Sequence, residues 1–277
     1  MASLRETKDR INSVKGTLKI TTAMKFVASS KLHKAQKAIE AMIPYHQALS
    51  QIFHSLKGSN VSLSSGKGGK VVIVALASNT SMCGAFNVNV LNAAKEQLDK
   101  YPDAVLYAIG RKMSEPLAKA GFNSAGDYTR LMAKPDYDQA AALADKLRDC
   151  YEQGLYSKVV LVYTHFVNFV SQQVVVENFL PWKEQEEDAV NQEEEEFILE
   201  PGEDEIVRKM LPEVLRLKIY STLLDSSAAE NAARTIAMQT ASDNAEDLLS
   251  ELVLEYNKGR QQKITNEILD LIGGSQK

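Results

Sequence analysis

The chain has 277 residues, 44% of them apolar, and a formal net charge of −4. This length allows one large domain or two smaller ones, with enough apolar residues to form a hydrophobic core. The sequence contains no run of about 18 to 20 apolar residues that could span a bilayer, and its charged first residues resemble neither a secretory signal nor a transit peptide.

The charge is distributed unevenly along the chain. Residues 1–57 hold ten Lys and Arg residues against three Asp and Glu, whereas residues 183–205 hold one Lys against twelve acids. A basic helix is usually a solvated face, but it can also indicate an acidic partner or nucleic acid. The acidic stretch at 183–196 is typical of a solvated loop.

A heptad repeat dominates the first 56 residues. Its seam, formed by the first and fourth positions of each heptad, has sixteen positions, of which twelve are apolar. The seam consists of Leu4, Thr7, Ile11, Val14, Leu18, Thr21, Lys25, Ala28, Leu32, Ala35, Ile39, Met42, His46, Leu49, Phe53 and Leu56. The repeat predicts a left-handed coiled-coil helix about 80 Å long, which Pro44 should bend or loosen near residues 39–40.

The middle of the chain alternates between strand and helix patterns. After a flexible connector at 58–69, apolar runs rich in β-branched residues predict strands at 70–78, 103–110, 158–167, 171–181 and 197–201. Helical patterns cover 85–100, 114–121 and 137–154. This alternation predicts a Rossmann-like α/β domain, here called the foot domain, at residues 70–203.

A second long helix is predicted from about Asp204 to Leu271, a length of roughly 100 Å. Small residues crowd its segment 226–242 and would let another helix approach closely. An apolar stripe with spacings of three and four continues beyond them. The stripe consists of Ala241, Ala245, Leu248, Leu252, Ile264, Ile268 and Leu271.

Two long helices therefore flank one α/β domain, and they should pair antiparallel because the domain returns the chain to where it left. The predicted fold class is α/β, with a long antiparallel two-helix coiled coil, the shaft, at 1–57 and 204–277 and the Rossmann-like domain inserted. The second helix should extend about 20 Å past Leu4. Its exposed apolar tip predicts a surrounding partner.

Few residues suggest chemistry. Residues 66–70, GKGGK, lack the spacing of a phosphate loop and precede their strand. The two cysteines and four histidines have no ligand spacing, so we expect reduced thiols and no metal. The loop Ser78–Asn87 lies where α/β folds bind ligands, although a structural turn is the favoured interpretation.

Three segments of the sequence resemble the gamma subunit of F-type ATP synthases, and their order and spacing match that family over the whole chain. They are RINSVKGTLKITTAMKFVASSKLHKAQ at 10–36, MCGAFN at 82–87, and ARTIAMQTASDNAEDLL followed by YNKGRQQKITNEILDLIGG at 233–249 and 256–274. The chain departs from the family at Asn79 and Thr80, where the family has an acidic–basic pair. The closely spaced cysteines of chloroplast relatives are missing, so thiol control is not expected.

The resemblance implies a rotating axle without catalytic residues or cofactors. It would turn inside the ring of alpha and beta subunits and couple proton flow through a membrane c-ring to ATP synthesis or hydrolysis. It would also bind the epsilon subunit, as a peripheral protein on the cytoplasmic face of the inner membrane, and would not bind nucleic acid.

The same resemblance implies contact residues. Met24 and Lys25 would meet the acidic lever loop of the beta subunits. On the last helix, the expected ring contacts are Arg260, Gln261, Thr265 and Glu267. Leu199 and Glu200 would lie near the membrane ring and the epsilon subunit.

Two alternatives stay open from the residues alone. An α/β enzyme with coiled-coil dimerisation arms would bind a ligand at Ser78–Asn87 and self-associate. A nucleic-acid-associated coiled coil would use the basic first helix and show strongly salt-dependent binding.

Overall fold

The computed structural model describes residues 4–55, 68–182 and 203–274. The helices are α1 (Leu4–Ser55), α2 (Phe86–Lys100), α3 (Arg111–Lys119), α4 (Thr129–Ala133), α5 (Tyr137–Glu152) and α6 (Glu203–Gly274). The strands are β1 (Lys70–Leu76), β2 (Val105–Ile109), β3 (Tyr156–Phe166) and β4 (Gln172–Leu180). The two long helices and the α/β order confirm the predicted fold class.

The chain forms two compact units, and α1 and α6 contribute to both. The first unit comprises Met1–Ser29 and Arg234–Lys277, and the second comprises Ser30–Ala233. The proposed boundaries of the shaft and the foot domain stay a prediction. Residues 58–67 of the connector, the acidic stretch 183–196 and the predicted strand 197–201 lie outside the described residues.

The second unit contains a four-stranded sheet in the order β2-β1-β3-β4. Strand β1 pairs in parallel with both β2 and β3, so that Val74 lies between Tyr107 and Leu161. Strand β4 follows β3 by a hairpin and pairs with it antiparallel. Three parallel strands connected through helices give the Rossmann-like arrangement that the alternating pattern predicted.

Helices cover both faces of this sheet, because alternate residues of each buried strand point to opposite sides. On one face, α2 and α3 pack on side chains such as Ile73 and Val162. On the other face, α4, α5 and the first turns of α6 pack on side chains such as Val74 and Leu161. The contribution of α6 to this core consists of Leu211, Leu215, Ile219 and Leu223.

The small-residue segment of α6 packs closely against α1 within the second unit. Ala228 and Ala232 are fully buried against Leu32, Ala35 and Ile39 of α1. Because alanine side chains are short, α1 and α6 can approach each other closely here, as the small-residue composition predicted. Helix α1 continues through Pro44 as one α-helix, and the bend expected near residues 39–40 stays a prediction.

In the first unit, α1 and α6 also run antiparallel. The hydroxyls of Thr21 and Ser242 lie 2.8 Å apart in the seam, and Lys25 Nζ donates to Gln239 Oε1 at 2.9 Å. The seam predicted for α1 is confirmed, since its described side chains are buried or half-buried from Leu4 to Leu49, apart from His46.

The apolar stripe predicted for α6 is correct at Ala245 and Leu252 but wrong at Leu248, which is 40% exposed. The neighbouring Leu249 is half-buried instead. The observed seam of α6 is a strict alternation of three and four residues. It consists of Thr235, Met238, Ser242, Ala245, Leu249, Leu252, Tyr256 and Gly259.

We expect the Thr21→Val variant to lose about 1 kcal/mol of unfolding free energy, because the buried Ser242 hydroxyl loses its partner across the seam. The double variant with Ser242→Ala should recover most of that loss, since neither hydroxyl is then left unpaired. Urea unfolding followed by circular dichroism measures both. Thr17→Val, the same substitution at an exposed position one turn earlier, is the control, and equal losses at both threonines would refute this role for the pair.

Candidate functional site

The predicted contact residues Met24 and Lys25 lie on α1 in the first unit, and both are half-buried. Besides its hydrogen bond to Gln239, the Lys25 ammonium lies 5.1 Å from the centre of the Phe26 ring. Gln239 in turn donates to Asp243 at 2.6 Å. The aliphatic stem of Lys25 can cover the seam while its charged end reaches the surface, which explains a lysine at an otherwise apolar heptad position.

Next to these residues lie large apolar side chains that the sequence-based prediction missed. Ile20, Phe26 and Val27 are all exposed, Phe26 by 65%. Their signal was present in the heptad, because they occupy positions outside the seam where a solvated coiled coil normally carries polar residues. Exposed apolar residues of this size favour a protein partner.

Among the described residues, the pairing of α1 with α6 extends to Leu4, which meets Gly259. A Cβ on Gly259 would lie 3.1 Å from Leu4 Cδ2, so the helices are in close contact there. Beyond Gly259, every described side chain of α6 up to Leu271 is exposed. The helix continues to Gly274, roughly 20 Å farther, which confirms the predicted overhang within this unit.

The other predicted ring contacts, Arg260, Gln261, Thr265 and Glu267, lie on this overhang and are all exposed. Thr265 Oγ1 donates to the Gln261 carbonyl oxygen at 3.0 Å, and Glu267 lies 3.7 Å from Lys263. Both partners of that ion pair are mostly exposed, so it contributes little stability. Within the described chain, no carboxylate pairs with the Arg260 guanidinium.

Large apolar side chains follow along the same overhang. They are Ile264, Ile268, Leu269 and Leu271, and Leu271 is 74% exposed. Charged and apolar groups thus share one unpaired stretch of helix.

Leu199 and Glu200, the predicted contacts to the membrane ring and epsilon subunit, lie outside the described residues.

The loop Ser78–Asn87 was the alternative ligand site, and its polar groups bond mainly to the protein itself. Asn87 Oδ1 accepts hydrogen bonds from the backbone N–H and the hydroxyl of Ser78, at 3.0 and 2.9 Å. Asn79 Oδ1 accepts from the Arg111 N–H, and its amide donates to the Thr129 carbonyl oxygen at 2.8 Å. Asn79 therefore caps the N-terminus of α3 from another loop.

The crevice in which Rossmann-like folds bind ligands is filled. In the strand order β2-β1-β3, this crevice lies at the carboxyl ends of β1 and β3, where the chain switches direction across the sheet. There Cys83, Phe86 and Phe166 pack against Ala229 and Ala233 of α6. A helix of this chain therefore occupies the ligand position, which explains why the loop forms a structural turn.

Within residues 4–55, 68–182 and 203–274, no three His, Cys, Asp or Glu side chains are grouped as a metal site would require. Over the same residues, no helix is both long and apolar enough to cross a membrane.

The comparisons with known proteins agree with this arrangement. The family model described as ATP synthase matches residues 3–276. The ATP synthase gamma chain of Phocaeicola vulgatus is 45% identical over 292 residues, covering 99% of each chain, and that of Flavobacterium johnsoniae is 38% identical and covers 100% of this chain and 99% of its own. The chain belongs to the ATP synthase gamma chain family.

Solved structures share the fold of this family member. A chain of the Euglena gracilis mitochondrial ATP synthase, in the structure of OSCP, F1 and c-ring, matches with a TM-score of 0.66 and 19% identity, covering 99% of this chain and 93% of its own. A chain of the Tetrahymena thermophila mitochondrial ATP synthase central stalk and c-ring matches with a TM-score of 0.57 and 22% identity, covering 80% and 99%.

We expect Asn79→Asp to lower the unfolding free energy by about 1 kcal/mol, although the resemblance places an acid at this position in the family. The carboxylate keeps the bond to the Arg111 N–H, but its second oxygen would face the Thr129 carbonyl without a hydrogen to donate. Urea unfolding at neutral pH measures the change. Asn92→Asp, at an exposed position of α2, is the control; a stabilising Asn79→Asp would show that the amide donor is dispensable.

Proposed function

We propose that this chain is the central-stalk rotor subunit of a proton-translocating F-type ATP synthase and performs no catalysis itself. It turns inside the ring of alpha and beta subunits and couples proton flow through the c-ring to ATP synthesis or hydrolysis. The observation that carries the proposal is the exposed end of α6 beyond Gly259, whose apolar side chains need a surrounding protein.

The mechanism requires contacts that differ with the angle of rotation, because only differential contacts can shift the three catalytic sites between conformations. The first unit has such an asymmetric surface. On α1, Lys25 lies beside the exposed Phe26. On α6, the described side chains beyond Gly259 are exposed. A ring site that meets α1 therefore meets different chemistry from one that meets α6.

We assign the ring contacts to Met24 and Lys25 on α1 and to Arg260, Gln261, Thr265 and Glu267 on α6. The Arg260 guanidinium, which is exposed, can form charge-assisted hydrogen bonds with carboxylates of a partner. We assign contacts with the epsilon subunit and the c-ring to Leu199 and Glu200, and the site of action to the cytoplasmic face of the inner membrane, as a peripheral subunit.

Reconstitution of the full chain with alpha and beta subunits tests this proposal. We expect one copy of the chain in each complex with three alpha and three beta subunits, by native mass spectrometry, and an ATPase activity that depends on the chain. The chain alone should not hydrolyse ATP. A stable homodimer that binds nucleotide with micromolar affinity and ignores the alpha and beta subunits would overturn the proposal.

A further inference from the structure

A cleft of about 530 Å³ opens within the second unit between α1, the end of β3 and α6. Its lining shares Phe166 with the filled crevice and includes none of the assigned ring contacts. Its volume falls within the range of about 300 to 1,000 Å³ that is typical of sites for small molecules. One wall is apolar and consists of Ile39, Met42, Ile43 and Phe166.

The opposite wall is polar and is held by hydrogen bonds. Asp225 of α6 lies 2.6 Å from His165 Nδ1, and its other oxygen accepts the Phe166 N–H at 2.9 Å. These bonds fix the Asp225 carboxylate at the end of β3. The Ser221 and Thr222 hydroxyls, which also line the cleft, donate to the Lys218 carbonyl oxygen at 2.9 and 2.8 Å.

The charges around the cleft are predominantly negative. Lys218 lines it, but its ammonium is bound by Glu177 at 2.9 Å, so this pair is neutral overall. Burial raises the pKa of Tyr163, so its hydroxyl stays uncharged. Two carboxylates are left, Asp225 and the exposed Glu40, and among the described residues no cation pairs with Glu40. The remaining titratable groups are the imidazoles of His46 and His165.

We propose that this cleft binds small organic cations that have an apolar body and an ammonium head. The body packs on Ile39, Met42 and Ile43, where it removes half-exposed apolar surface from water. The ammonium lies near the two carboxylates that line the cleft, Glu40 and Asp225, where opposite charge favours it. This site is independent of the rotor function, because none of its residues is among the assigned partner contacts.

Two probes with one body and opposite heads test the charge preference on the full chain. Isothermal titration calorimetry at pH 8 compares 4-phenylbutylamine with 4-phenylbutyrate. We expect the amine to bind about tenfold more tightly, because its head is attracted by the two carboxylates and the butyrate head is repelled.

Three variants locate the site. Glu40→Gln should weaken amine binding about fivefold at pH 8, whereas Glu96→Gln, the same change at an exposed position of α2, should leave it unchanged. Ile43→Trp should abolish binding by filling the cleft. The proposal fails if the amine does not bind, if both probes bind equally, if Glu96→Gln weakens binding as much as Glu40→Gln, or if Ile43→Trp binds normally.

Discussion

The Leu252→Asp variant is expected to lose about 3 to 5 kcal/mol of unfolding free energy, the largest effect of any single substitution considered for this chain. Leu252 is only 4% exposed and lies in the seam of α6. The substitution removes its apolar contacts and places an unpaired carboxylate in the buried seam. Thermal unfolding followed at 222 nm should show a fall in Tm of about 10 °C.

A matched control lies two residues farther along the same helix. Leu254 is 71% exposed, so Leu254→Asp makes the same chemical change outside the seam and should shift Tm by no more than about 2 °C. If the two variants were equally stable, the observed seam of α6 would be wrong. Leu18→Asp, on α1, should also be destabilising, though less so, because Leu18 is only half-buried.

Removal of residues 266–277 is expected to reduce coupled ATP synthesis by about tenfold, the effect of losing roughly 1.4 kcal/mol of contact with the ring. The described side chains removed by this truncation are exposed and lie beyond the paired part of the coiled coil. The Tm of the isolated chain should therefore change little. Synthesis is measured in vesicles that contain the complete reconstituted enzyme, with the driving force held constant.

A full-length variant distinguishes the effect of the length of the α6 tip on ATP synthesis from the effect of its apolar side chains. Ile268→Ser, Leu269→Ser and Leu271→Ser together keep the helix but remove three exposed apolar side chains. If a partner sheathes the tip through apolar contact, this triple variant should lose nearly as much synthesis as the truncation. A truncation that unfolds the isolated chain would instead show that these residues belong to its core.

Much of the fold could be predicted from the sequence because its signals are long and regular. The seam of α1 repeats over its whole described length, so one polar residue at a seam position, such as His46, does not change the predicted heptad register. The assignment of Leu248 to the seam of α6 was wrong, because Leu248 and Leu249 both fit apolar spacings. Only the register against α1, fixed by contacts such as Thr21 with Ser242, decides between them.

Short elements were predicted less well. Helix α4 was missed because five residues are too few to show a helical period. Helix α3 was expected at 114–121 but spans Arg111–Lys119. Its start follows Gly110, which has φ +91° and no room for a Cβ beside the Ala77 carbonyl oxygen. The cap that stabilises this start comes from Asn79, 32 residues earlier, and no local pattern could reveal it.

The candidate site was predictable to the extent that it follows helix periodicity. The exposed end of α6 could be inferred from the unequal lengths of the two helices. The exposed side chains of Ile20, Phe26 and Val27 occupy heptad positions outside the seam, so a prediction based on the seam alone misses them. The cleft beside Asp225 could not be predicted, because it needs residues from α1, β3 and α6 that are far apart in sequence.

The alanines that fill the crevice of the Rossmann-like fold make α6 behave as a tethered ligand. A free nucleotide must compete for such a crevice from solution, whereas Ala229 and Ala233 are delivered to it by the same polypeptide, at an effective concentration that is typically millimolar or higher. Because α6 occupies the crevice in place of a free ligand, the Rossmann-like fold holds a helix here and does not bind a ligand.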